Sequence, residues 1–179
     1  TLNSIAALVK ISPEQSETAV ENLASLMRAI LKDVQIMVPW KREIELCQQY
    51  LALEKLRLGQ RLQIQFNIDQ VADDFPVPSL FLQPLLENGI IHGISPLAQG
   101  GCLHLSAQVK NKMLIVTITN PIPDSPRKNR QGNGVGLNNV ENRLKLLYQM
   151  DASMEVKKLD HSFSVTIKLP DRNQSGNSK

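Results

Sequence analysis

The sequence predicts an α+β fold in which a helical region leads into a sheet-containing domain. Apolar residues recur at helical spacing through the first third, the period changes to two at Arg61, and alternating strands return after a second apolar helix. One element cannot satisfy both periods, so the change marks a boundary near Gly59. A chain of 179 residues with 42% hydrophobic content suffices for one compact domain and a helical appendage. The expected division is therefore a helical region 1–59, a domain 60–170 and a polar, disordered tail 171–179.

In the helical region, Leu2, Ile5, Ala6, Leu8 and Val9 form one apolar stripe, and Val20, Leu23, Leu26, Met27, Ile30 and Leu31 form another. Ser12-Pro13-Glu14 reads as a helix start, with proline in the first turn and Glu14 and Glu17 placed where the dipole favours them. Pro39 interrupts, and a third helix runs from about Trp40 to Leu58, closing at Gly59. These residues are too few for a comfortable core of their own, so a homodimer through the N-terminal helices is expected.

Leu62, Ile64, Phe66 and Ile68 alternate with polar residues as a half-buried strand. Pro76 and Pro78 cannot continue a sheet interior, and Leu80 to Ile91 follows as an apolar helix. Two alternating runs, Leu103 to Val109 and Leu114 to Thr119, flank Lys110-Asn111-Lys112 as a hairpin. Residues 120–136 hold three prolines, three glycines and the basic Arg127, Lys128 and Arg130, which reads as a functional lid. A helix from Leu137 to about Gln149 and strands near Ser153 to Leu159 and Phe163 to Leu169 complete the domain.

Two motifs about forty positions apart carry the chemistry. Glu87-Asn88-Gly89-Ile90-Ile91-His92-Gly93 puts an amide and an imidazole four apart on one helix face. Gly132-Asn133-Gly134-Val135-Gly136-Leu137 brings backbone amides and a helix N-terminus together, an arrangement that can cradle phosphates. Other classes are weakly supported. A net charge of +3 with 4% aromatic residues does not point to nucleic acid. Cys47 and Cys102 lack disulfide or zinc spacing and read as reduced thiols of a cytoplasmic protein. No apolar run is long enough for a membrane span, so a membrane would be reached only through another part of a parent protein. Thr1 falls inside a helical pattern, which suggests a piece of a longer chain.

Leu80-Phe81-Leu82-Gln83-Pro84-Leu85-Leu86-Glu87-Asn88-Gly89-Ile90-Ile91-His92-Gly93 is similar to the Gln-Pro-Leu-Val-Glu-Asn-Ala-Ile-x-His-Gly run of the LytS-like sensor histidine kinases. Gly134-Val135-Gly136-Leu137, Asn139-Val140 and Arg143-Leu144 resemble a second segment of that family, and Tyr50-Leu51-Ala52-Leu53-Glu54 with Arg57 resembles its helical one. The resemblance implies a GHKL (Bergerat-type) two-layer α/β sandwich, a mixed and mainly antiparallel sheet with helices on one face. It also implies that Asn88 binds the magnesium bridging the phosphates of ATP, with His92 close to them. Gly132, Gly134 and Gly136 would give amides to the phosphates, with Leu137 and Asn139 at the start of the next helix.

This chain departs from the family at two places. Asn120-Pro121-Ile122-Pro123 stands where the family has D-x-G-x-G, so Asn120 would accept the adenine amino group without a charge. The phosphoacceptor histidine would lie upstream of Thr1, so no residue of this chain is the acceptor. Pro84 occupies the position of the water-activating glutamate of Hsp90-type ATPases, which closes that route to hydrolysis. The implied function is the cytoplasmic transmitter part of a two-component sensor kinase, with Mg-ATP as cofactor and a response regulator as partner. The alternative is a catalytically silent nucleotide-binding or regulator-interaction module.

Overall fold

The computed structural model describes Val20, residues 36–123 and residues 135–171. The two expected N-terminal helices, residues 124–134 of the expected lid with Arg127, Lys128, Arg130, Gly132 and Gly134, and residues 172–179 lie outside the described residues, while Asn120 and Pro121 belong to a strand. Strand β1 (Met37–Pro39) leads directly into α1 (Trp40–Leu58). A 3-10 turn (Gly59–Arg61) then gives way to β2 (Leu62–Asp69). After β3 (Pro76–Pro78) comes α2 (Gln83–Asn88), continued by a π-helical segment (Gly89–Ile94). The hairpin β4 (Gly101–Lys110) and β5 (Met113–Pro121) precedes α3 (Val135–Tyr148), and β6 (Ser153–Lys158) and β7 (Ser162–Pro170) close the fold.

The main sheet has the order β2-β4-β5-β7-β6, parallel only between β2 and β4. It is mixed and mainly antiparallel, as the sequence leads one to expect. Alternation decides its faces: Leu103, Leu105, Leu114, Val116, Ile118, Val165 and Ile167 are buried beneath the helices. The other face is hydroxyl-rich, and Thr117 and Thr166 share a 3.0 Å hydrogen bond there. Asn111 and Lys112 both have positive φ, so the β4–β5 hairpin closes with the mirror-image turn that suits strand twist. Where β4 starts beside β2, Gly100 has φ +73 and a Cβ there would lie 1.9 Å from the Arg61 carbonyl oxygen.

Three features differ from the sequence reading. Trp40, Ile44, Cys47, Tyr50 and Leu51 of α1 belong to the same buried cluster as the sheet, and cutting after Gly59 would divide that cluster. Pro76–Pro78 is a strand after all, pairing antiparallel with β1 in a two-stranded ribbon where a missing N–H is tolerated. The motif helix begins at Gln83 rather than Leu80, because Leu80 is left-handed (φ 57), and it runs on to Ile94 with a wider turn. That turn is marked by the 2.8 Å bond from Ser95 N–H to the Ile90 carbonyl.

Candidate nucleotide site

A cavity of about 1100 Å³ opens between the π-helical segment, the end of β5 and the start of α3. Asn88, His92, Asn120 and Leu137 line it, so four of the nominated residues converge from three elements. Asn88 is half-buried and His92 exposed, while Ile90 and Ile94 turn into the core. Gly136 and Asn139 are exposed on α3 and are not in the cavity wall. On a helix, Asn139 lies about 200° around from Leu137, which turns it to the opposite side.

Asn120 is only 3% exposed and forms the inner wall. Its Nδ2 donates to the Pro121 carbonyl at 2.8 Å, leaving Oδ1 as its acceptor end. The motif glycines make room for it. A Cβ on Gly93 would lie 2.1 Å from Asn120 Nδ2 and 2.5 Å from the Pro121 carbonyl oxygen. On Gly89 it would lie 2.8 Å from Leu103 Cδ1 and 3.0 Å from Asn120 Oδ1. Gly89 and Gly93 thus let the motif segment settle onto the end of β5.

Several lining residues escape a reading by motif. Phe163 pairs with Asn120 on one side and Lys158 on the other, so a rung across β5, β7 and β6 delivers an amide, an aromatic ring and an ammonium to the cavity. Strand register makes that rung, and no local spacing announces it. Arg61 also lines the cavity, and its Nη2 donates to the carbonyls of Ser95 (3.0 Å) and Leu97 (2.6 Å), tying the end of the motif segment to the start of β2. Among the described residues no carboxylate lines the cavity, whereas Arg61 and Lys158 do, which favours an anionic occupant.

Two arginines of the family-like segments take different places. Arg57 pairs with the buried Glu54. Arg143 instead donates to the carbonyls of Ser79 and Ile36, joining α3 to the loop before α2. Glu87 accepts from Gln83 Nε2 at 2.9 Å, a helix-internal contact. Burial first, then the charges of Glu54 and Glu87, hold the nearby Tyr50 phenol well above its usual range. Among the described residues no helix is long and apolar enough to cross a membrane.

A family model described as histidine kinase matches residues 1–62. Sensor histidine kinase YpdA of Escherichia coli is 29% identical over 96% of this chain and 31% of its own length. Sensor protein LytS of Oceanobacillus iheyensis is 30% identical over 97% of this chain and 32% of its own. This chain thus spans about a third of the length of these curated relatives. Among solved structures, the histidine kinase domain of a blue-light activated histidine kinase of Erythrobacter litoralis superposes with a TM-score of 0.56 at 21% identity, covering 97% of this chain and 89% of that one. Histidine kinase ThkA in complex with response regulator protein TrrA gives 0.51 at 13% identity, covering 89% and 50%. Fold and sequence agree: over nearly all of its length the chain is similar to the LytS-type sensor histidine kinases.

Proposed function

We propose that this chain is the nucleotide-binding and phosphotransfer portion of a protein-histidine kinase, holding Mg-ATP in the cavity beside Asn88. The convergence of Asn88, His92 and Asn120 on one cation-lined cavity carries the reading. Apolar Ile91, Ile122 and Phe163 offer contact to a base, and Arg61, Lys158 and His92 offer positive charge or donors to phosphates. The Asn88 amide oxygen is a hard ligand, and with no lining carboxylate among the described residues it suits magnesium carried in with the triphosphate. Bound magnesium would neutralise charge that builds on the transferring phosphoryl group. The chain's own part is to hold the base against Asn120 and keep the phosphates at the mouth, with Gly132 and Gly134 supplying amides.

The acceptor would be a histidine upstream of Thr1, and the N-terminal helices would bring two copies together. Onward transfer would go to an aspartate of a response regulator, a partner class supported by the ThkA complex. In this reading the chain lies on the cytoplasmic side of a membrane sensor. A second reading, a silent interaction module, is favoured by the neutral Asn120 side chain and its bond to Pro121.

Titration of a fluorescent ATP analogue with magnesium, on this chain and on Asn88→Ala, separates the readings. Binding in the micromolar range that weakens at least tenfold in the variant is expected, of the order of one lost charge-assisted contact. Absence of binding to the parent chain would sink the nucleotide reading and leave the interaction module.

A further inference from the structure

The helix that carries Asn88 begins without a side-chain cap of its own. Leu82 occupies its N-cap position and Pro84 its first turn, and neither can accept a hydrogen bond through its side chain. The N–H groups of Leu80 and Leu82 instead donate to the two carboxylate oxygens of Glu43, at 2.7 and 2.9 Å. Glu43 comes from α1 and is 1% exposed. Leu80, which it holds, is in the left-handed region, a conformation that an apolar L-residue adopts only under constraint. On the far side of the same loop, Arg143 of α3 grips the Ser79 carbonyl.

This node joins three elements, and two of them line the cavity. Helix α2 and its π-helical extension present Asn88 and His92, while α3 presents Leu137. We propose that Glu43 is a positioning residue for the nucleotide cavity: its carboxylate, together with Arg143, fixes where the Asn88 helix begins and hence how that helix is set beside α3 at the cavity. The proposal rests on the nucleotide reading above. It also gives α1, which belongs to the segment matching the histidine kinase model, a direct hold on the motif helix.

The grip depends on ionisation, because only the carboxylate offers acceptors to both N–H groups without an O–H of its own. Burial raises the Glu43 carboxyl to about 7 against the pull of the Leu82, Leu80 and Phe81 amides and the Arg143 charge. Cys47 on α1 and Arg143 on α3 are the ionisable groups that face it, and burial holds the Cys47 thiol well up.

The test is Mg-ATP affinity of the whole chain and of Glu43→Gln at pH 6 and pH 8, read with a fluorescent analogue. At pH 8 the variant is expected to bind about fivefold more weakly, and at pH 6 the two chains should agree to within about twofold. Whatever the nucleotide and the rest of the chain contribute is common to both proteins and cancels in the ratio. Equal affinities at pH 8, or one ratio at both pH values, overturn the proposal. If the parent chain binds no nucleotide, the nucleotide reading fails on its own, and amide hydrogen exchange over residues 83–94 decides the positioning role. Faster exchange in Glu43→Gln than in the parent at pH 8 supports it, and equal protection refutes it. Should Glu43→Gln lose its fold by circular dichroism, Arg143→Lys takes its place: slower exchange or unchanged exchange in that segment overturns the role, and faster exchange supports it.

Discussion

Asn88 and His92 look into the cavity from an open helical wall, half-buried and exposed, whereas Asn120 on the adjoining wall is 3% exposed and closed in by Gly89 and Gly93. On the helical wall a side chain can change while its surroundings stay as they are. On the β5 wall the same change disturbs the contact between helix and sheet. Affinity and stability should therefore separate on the first wall and move together on the second. The helical wall nevertheless has a buried foundation, because Glu43 holds the Leu80 and Leu82 amides that lead into it.

The largest effect is expected from Gly93→Ala. Its methyl would meet Asn120 Nδ2 at 2.1 Å and a backbone carbonyl oxygen at 2.5 Å, and backbone cannot rotate aside. A loss of about 3 kcal/mol is expected by urea denaturation, with the cavity deformed as well. Gly89→Ala meets the end of the Leu103 side chain and an amide oxygen, and should cost about 1 kcal/mol. Equal costs at the two glycines would break the account of the inner wall.

Glu43 sharpens the contrast from below. Its carboxyl sits at about 7 in the fold against an ordinary 4.5, so the folded state holds the proton more tightly than the unfolded chain. The stability this confers is fully present below pH 4.5 and is lost as pH rises through about 7. The displacement corresponds to about 3 kcal/mol. Glu43→Gln lacks the titration, so its global stability relative to the parent should climb by about that amount between pH 4.5 and pH 8, whereas local opening of residues 83–94 follows the carboxylate's hold on the Leu80 and Leu82 amides. A flat difference in denaturation midpoints across that range would remove the buried carboxylate from the account.

Some of this was visible in the residues. Strand alternation reported the sheet because one face is covered and the other is not, and Asn88 and His92 were legible because their spacing alone places them on one side of a helix. The membership of α1 in the sheet core was hidden, since a change of period marks where an element ends without saying what it packs against. Lys158 and Phe163 were hidden because strand register, a non-local quantity, brings them to Asn120. Glu43 lies in a stretch rich in charge, Lys41-Arg42-Glu43-Ile44-Glu45, where nothing local sets it apart from its neighbours. Its role arises because the helix needing a cap lies about forty residues away and supplies none of its own.

Asn120→Asp tests the inner wall with a smaller change. The amide now donates to the Pro121 carbonyl, and a carboxylate would set oxygen against oxygen at a position 3% exposed. A loss of about 2 kcal/mol is expected at neutral pH. Burial would raise the new carboxyl, so the loss should shrink on acidification as that group takes up a proton. A variant as stable as the parent at pH 7 would mean that the Asn120 bond is not part of the wall.

The smallest stability effect is expected on the helical wall. Asn88 is half-buried at the junction of α2 and its π-helical extension, and it is the wall's polar group toward the cavity rather than a packing residue of the core. Asn88→Ala removes an amide and leaves a good helix former, so its denaturation midpoint should move by no more than about 0.5 kcal/mol equivalent. Nucleotide binding should nevertheless fall at least tenfold, by the loss of a charge-assisted contact. That combination is the one Gly93→Ala cannot give. If Asn88→Ala instead lowers stability in step with affinity, Asn88 shares the structural role of the inner wall, and the two walls differ in exposure alone.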